Sequence, residues 1–84
     1  MEKEQLLAVL GQKLLTGQLP RPLPNRIWGG YGGGEKCAAC DQSILSTQVE
    51  IQALCNDGQE RCYHAGCFDV LNGLRREPAR ANPA

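Results

Sequence analysis

The residues of this 84-residue chain whose types and spacing could do chemistry fall into two pairs. A Cys-x-x-Cys motif is followed by a His-x-x-Cys motif, and together they contain Cys37, Cys40, His64 and Cys67. Thiolate and imidazole are the ligands of tetrahedral structural zinc sites, and two cysteines that flank a tight turn can both bind one ion. The pattern therefore predicts one Zn²⁺ per chain, held by these four residues.

Other uses of the cysteines have to be weighed against zinc. A single Cys-x-x-Cys motif also occurs in thioredoxin-like redox sites, but these need a βαβ setting that this chain does not show. Buried, unreactive cysteines are a second alternative. Cys62 could replace His64 as the fourth ligand, although its spacing to Cys67 suits a shared helical turn less well.

A hairpin is predicted between the two ligand pairs, which are separated by 23 residues. Apolar residues alternate over 47–55, which is typical of a half-buried strand, and a second strand is predicted over 60–64. Asp57-Gly58 favours a two-residue turn, which would place Cys55 and Cys62 diagonally, beyond comfortable disulfide distance. A turn at Gly58-Gln59 would place them opposite each other, so a disulfide is a minor alternative.

A helix over 65–76 completes the predicted domain. Cys67, Val70, Leu71 and Leu74 recur at helical spacing, and two arginines lie where the helix dipole favours cations. The segment 37–76 is thus predicted to be a small α+β, zinc-stabilised domain. A unit of about 40 residues buries too little apolar surface to fold without a stabilising element such as a bound metal ion.

Three further segments are predicted outside this domain. Residues 1–17 form an amphipathic helix with Leu6, Leu7, Leu10 and Leu14 on its apolar stripe. We expect it to pack on the zinc domain or on a second copy. Residues 18–36 are a linker rich in proline and glycine, and 77–84 a disordered tail.

Trp28 and Tyr31 are two of the four aromatic residues and lie in the predicted linker. The favoured interpretation is that they fold back over the small core, and the alternative is an exposed recognition patch. The charged N-terminus has no apolar signal-peptide core after it, which favours a reducing, cytoplasmic location and hence metal-bound thiolates over disulfides.

The tight turn at 37–40, which we call the knuckle, is followed by a hairpin and a helix. This order resembles a treble-clef zinc finger. In particular, Cys37-Ala38-Ala39-Cys40, the spacing to the second pair, and His64-Ala65-Gly66-Cys67-Phe68 resemble the first zinc module of a LIM domain. The resemblance covers about half of the chain and implies that Cys37, Cys40, His64 and Cys67 are the zinc ligands. The motif order, with Arg26-Ile27-Trp28 before it, is also similar to short bacterial zinc-binding proteins of unassigned function.

The expected function is a structural zinc-binding protein that acts as a small protein-interaction or adaptor module. Four protein ligands leave no position for substrate, and no second histidine is present to act as a base, so an enzyme is not expected. The first alternative is a nucleic-acid-binding regulator that uses Arg26, Trp28 and Tyr31, although 37–76 has five acidic against three basic side chains. The second is a thiol redox or metal-responsive protein. No membrane partner is expected, because the polar face of the N-terminal helix lacks a basic excess.

Overall fold

The computed structural model describes residues 2–76, which form two helices and a three-stranded antiparallel sheet with strand order β1-β2-β3. The small α+β fold predicted from the sequence is therefore confirmed, with one strand more than expected. The predicted disordered tail, 77–84, lies outside the described residues. The elements are α1 (Lys3–Leu15), β1 (Arg26–Tyr31), β2 (Val49–Leu54), β3 (Glu60–His64) and α2 (Ala65–Arg76).

The hairpin of β2 and β3 closes through a three-residue loop, not through either predicted two-residue turn. Cys55 and Gln59 pair across the loop, and Gly58 at its end has φ +84°. A three-residue loop requires this left-handed conformation at its last position, and glycine adopts it without strain. The register places Gln52 opposite Cys62, so Cys55 and Cys62 lie on opposite faces of the sheet. The disulfide alternative is therefore wrong, and both thiols are free.

Strand β1 lies inside the segment predicted to be a linker. It pairs along its whole length with β2, from Arg26 opposite Leu54 to Tyr31 opposite Val49. The strand is favoured by the β-branched and aromatic side chains of Ile27, Trp28 and Tyr31. The glycines between and after them lower the strand propensity, so the sequence does not indicate a strand here. Only part of 18–36 is thus irregular in structure.

Helix α1 packs against α2 and the knuckle region, with Leu6, Leu10 and Leu14 in the core. Leu7, predicted on the same stripe, is partly exposed at the rim of a cavity between the two helices. The helix ends at Leu15, and Gly17 just beyond it adopts φ +80° and donates its N–H to the carbonyl of Leu14. Leu19 then returns the chain into the core.

The core lies between one face of the sheet and α2, and it continues to α1 and the knuckle. Tyr63 and Ala53 of the sheet are fully buried, and the ring of Tyr63 stacks obliquely on Phe68 of α2, with centroids 5.3 Å apart. Arg75 at the end of α2 donates two hydrogen bonds to the carbonyl of Pro20, at 3.2 and 3.0 Å. This contact ties the start of the proline-rich segment to the last helix.

Candidate metal centre

The fold brings the four sequence-predicted ligands together. One ligand atom from each of Cys37, Cys40, His64 and Cys67 lies within 4.8 Å of all the others, and we call this group the Cys3His cluster. Cys37 and Cys40 come from the knuckle before β2, His64 is the last residue of β3, and Cys67 lies in the first turn of α2. The cluster therefore joins the knuckle to the junction of β3 and α2.

The spacing of the ligand atoms fits a tetrahedral zinc ion. His64 directs Nδ1 to the cluster, 3.4 Å from Cys40 Sγ and 3.8 Å from Cys67 Sγ. Zinc bonds of about 2.3 Å to sulfur and about 2.0 Å to nitrogen in a tetrahedron give a nitrogen-to-sulfur separation of about 3.5 Å. The two observed distances lie on either side of that value, so these residues could hold one zinc ion without rearrangement.

The imidazole of His64 is oriented by a contact on its far side. Its Nε2 lies 3.2 Å from the carbonyl oxygen of Ser43. A carbonyl oxygen can only accept a hydrogen bond, so Nε2 carries the proton. Nδ1 then keeps the lone pair that binds a metal. No sequence pattern indicates Ser43 for this role, because the contact depends on the path of the loop after the knuckle.

The knuckle is a tight backbone hairpin around Cys37 and Cys40. The N–H of Asp41 donates to the Cys37 carbonyl at 2.8 Å, and the N–H of Cys37 donates to the Gln42 carbonyl at 2.8 Å. Asp41 has φ +66°, a left-handed conformation that aspartate tolerates better than most residues. The N–H of Ala38 donates to the Cys62 carbonyl at 2.7 Å, which fixes the knuckle to the outer edge of β3.

Lys13 of α1 closes the knuckle from the other side. Its ammonium group donates to the carbonyls of Ala38 and Ala39, at 2.9 and 3.0 Å, and to both carboxylate oxygens of Asp41. Lys13 is only 6% exposed, which is unusual for a charged side chain. The spacing alone could have indicated its burial, because Lys13 follows Leu10 by three positions and so shares the buried stripe, but nothing in the sequence indicates which groups it bonds.

The thiol of Cys67 resists ionisation when no cation is near. Burial, followed by the neighbouring Cys37 and Cys40, raises the pKa of the Cys67 thiol strongly. Three thiolates this close repel one another in a poorly solvated site, and a divalent cation reverses that cost. The electrostatics of the group therefore match a metal site.

The two remaining cysteines lie outside the cluster. Burial, followed by a hydrogen bond to Glu50, raises the pKa of Cys62 to about 12, so it stays a thiol at neutral pH. Cys55 is buried at the hairpin loop, at the far end of β2 from the knuckle. The structure does not support the alternative that Cys62 replaces His64, because His64 supplies the fourth ligand atom of the cluster and Cys62 lies outside it.

A comparison of the chain with protein-family models, with curated proteins and with solved structures finds no match. Within residues 2–76, neither α1 nor α2 combines the length and the apolar character that crossing a membrane requires. The functional assignment therefore depends on the geometry of the Cys3His cluster.

Proposed function

We propose that this protein is a structural zinc-binding module of the treble-clef type, in which one Zn²⁺ holds the knuckle, β3 and α2 together. The observation that carries the proposal is the convergence of four ligand atoms within 4.8 Å. Three thiolates and one imidazole fill a tetrahedral zinc shell, so the ion has no open position for water or substrate. Its role is to stabilise the fold, and the protein is not an enzyme.

The metal assignment is tested on protein purified under reducing conditions. Elemental analysis should give about one zinc per chain, and X-ray absorption should show three sulfur ligands and one nitrogen ligand. His64→Ala should weaken zinc binding, whereas His64→Cys should retain it, because a fourth thiolate completes the shell. A four-sulfur shell in the wild-type protein would contradict the assignment of His64.

The zinc-held fold serves, in this proposal, as a protein-interaction or adaptor module in a reducing cytoplasm. Its support is a group of exposed apolar side chains that includes Ile27, Trp28, Tyr31 and Val49 on the sheet. The formal net charge of the chain is zero, which does not favour a strongly charged partner. A photo-crosslinking residue at Val49 should give a discrete protein adduct in cells, and the adduct should disappear with Cys40→Ser. Absence of any protein adduct from this position would count against the adaptor role.

A nucleic-acid-binding role has one observation in its favour. Trp28 and Tyr31 are 43% and 77% exposed, so the interpretation that they cover the core is wrong, and Arg26 lies on the same strand. Exposed aromatic rings beside a cation can stack on single-stranded bases. Titration with single-stranded oligonucleotides at low and moderate salt separates the two roles. Salt-sensitive binding that is lost in Trp28→Ala would favour nucleic acid.

A further inference from the structure

The outer edge of β1 is uncovered. The sheet has β1 and β3 as its edge strands, and all six residues of β1 are exposed. Within residues 2–76, no hydrogen bond from another segment reaches the side of β1 that faces away from β2. An open edge of this kind is a template for pairing with another strand.

The direction of each backbone group in β1 follows from its pairing with β2. The N–H of Gly32 bonds directly to the carbonyl of Gln48, its partner in the continued register. In an antiparallel ladder such bonded pairs alternate, so even-numbered residues of β1 face β2. The N–H and C=O groups of Ile27, Gly29 and Tyr31 therefore point away from the sheet and are free to pair.

We propose that this edge binds the same edge of a second copy of the chain, so that two sheets join into one of six strands. The three outward-facing residues are arranged symmetrically about Gly29. An antiparallel pairing with its two-fold axis at Gly29 places Ile27 opposite Tyr31 of the second copy and bonds every outward-facing group of both strands. The edge is thus complementary to itself.

The side chains fit this register on both faces of the joined sheet. Trp28 lies opposite Gly30 of the second copy, where an added side-chain atom would meet nothing within 4 Å. A cavity of about 140 Å³ lies there, lined by Trp28, Gly30 and Glu50 among others. An aromatic ring that covers a cross-strand glycine is a favourable pairing. On the other face, Ile27 and Tyr31 form an aliphatic–aromatic pair.

Charge complementarity supports the same occupant. Glu50 is 3% exposed, its carboxylate accepts from Gly33 N–H and Gln52, and neither ion pair of the described residues includes it. In the proposed register, Arg26 of the second copy lies opposite Gly32, on the face that carries Glu50. From strand spacing, the Cα atoms of Arg26 and Glu50 are about 12 Å apart, and only Gly30 and Gly32 lie between them. An extended arginine side chain can therefore reach the carboxylate.

Sedimentation velocity from micromolar to millimolar concentration tests the pairing on the full zinc-loaded chain. We expect the mass to rise from 9.1 kDa by about twofold as concentration increases. The interface is one strand edge, which is small for a protein complex, so dissociation on dilution is expected. Isotope-filtered NMR on a mixed labelled and unlabelled sample should show contacts between Ile27 and Tyr31 of different copies.

Two variants act on the edge without touching the ladder with β2. Gly29→Pro removes the outward N–H at the symmetry axis, a position where an edge strand tolerates proline, and should leave a monomer. Ile27→Lys adds a charge to the edge and should do the same, which decides the matter if the proline variant does not fold. The control is Leu15→Lys, at an exposed position at the end of α1, which should dimerise as the wild type does.

A folded wild-type chain that stays monomeric at every concentration would overturn the proposal and leave this edge to a peptide from another protein. A dimer that persists in both β1 variants would overturn it too. Zinc content, measured on the same samples, is independent of both outcomes, because the Cys3His cluster lies beyond the opposite edge of the sheet.

Discussion

The edges of the sheet at β3 and β1 differ in what covers their backbone groups. At β3, the Cys62 carbonyl accepts from Ala38 of the knuckle, and the N–H of His64 donates to Cys37 Sγ at 3.4 Å. At β1, no described segment does the same. One edge is thus closed by the metal-binding segment, whereas the other is built of glycines and exposed apolar side chains. Stability should depend on the first edge, and association on the second.

Removing the metal should have the largest effect, and it should act at the β3 edge. Zinc-finger peptides bind zinc with about 10–16 kcal/mol, which for a domain of this size is the free energy of folding. A strong chelator should therefore abolish the dispersed amide resonances of 37–76 in an NMR spectrum. A spectrum that stays dispersed without metal would show that the β3 edge is closed by packing alone.

Single substitutions distinguish the ligand cysteines from Cys55, one of the two cysteines outside the cluster. Cys37→Ser, Cys40→Ser or Cys67→Ser should release zinc to a colorimetric chelator and unfold the domain. Cys55→Ser, the matched control, should keep zinc and cost about 1 kcal/mol. Equal zinc loss in the control would mean that the Cys3His cluster is not the ligand set.

Lys13→Met should cause the next largest loss of folding stability, and it should act at the knuckle. The variant keeps most of the apolar stem but leaves the carbonyls of Ala38 and Ala39 without their donor, and an unsatisfied buried acceptor costs about 1–3 kcal/mol. Urea unfolding of the zinc-loaded protein should show a loss in this range, and zinc affinity should fall with it. Lys3→Met, an exposed position on the same helix, is the control and should change neither.

Gly32→Ala should be destabilising where β1 meets the loop before the knuckle. A Cβ at Gly32 would clash with the backbone carbonyls of Ile44 and Leu45, whereas a Cβ at Gly33 would meet nothing within 4 Å. Overpacking of this kind costs about 1–3 kcal/mol. Thermal unfolding should therefore separate Gly32→Ala from Gly33→Ala, and similar midpoints for the two would contradict the close approach.

Protonation of Glu50 at low pH should have the smallest effect on the stability of the fold. Hydrogen bonds from Cys62, and then from Gln52 and Gly33, lower the pKa of this carboxyl below its ordinary value of about 4.5. A carboxyl whose pKa is lower in the folded state stabilises the fold above pH 4.5, and this contribution is lost as the pH falls through the folded-state pKa. The ¹³C shift of its carboxyl carbon should titrate below 4.5 while the protein stays folded. Titration at or above 4.5 would contradict these hydrogen bonds.

The candidate site was predictable from the sequence because its information is local. Cys-x-x-Cys and His-x-x-Cys specify ligand type and spacing, and the alternating pattern of β2 and the helical pattern of α2 position them. The three-residue hairpin loop was not predicted, because Asp57-Gly58 suits both loop lengths when the pairing partners are unknown. One residue of difference there changes which face of the sheet Cys62 occupies.

Strand β1 and the role of Lys13 could not be predicted for a different reason. Glycine lowers strand propensity, and the strand that pairs with β1 lies about 20 residues further along the chain. Lys13 meets carbonyls 25 and 26 residues away, and backbone carbonyls leave no trace in the residue types. In both cases the partner is non-local and its identity depends on the fold.

The contact of Lys13 with the knuckle also connects metal loading to the lifetime of the chain. If the ion leaves and the knuckle opens, the acceptors of Lys13 separate and α1 loses the surface against which Leu6, Leu10 and Leu14 pack. An amphipathic helix released in this way exposes apolar side chains, which proteases and chaperones recognise. We therefore expect cells starved of zinc to clear the protein quickly, so that its abundance follows the supply of metal.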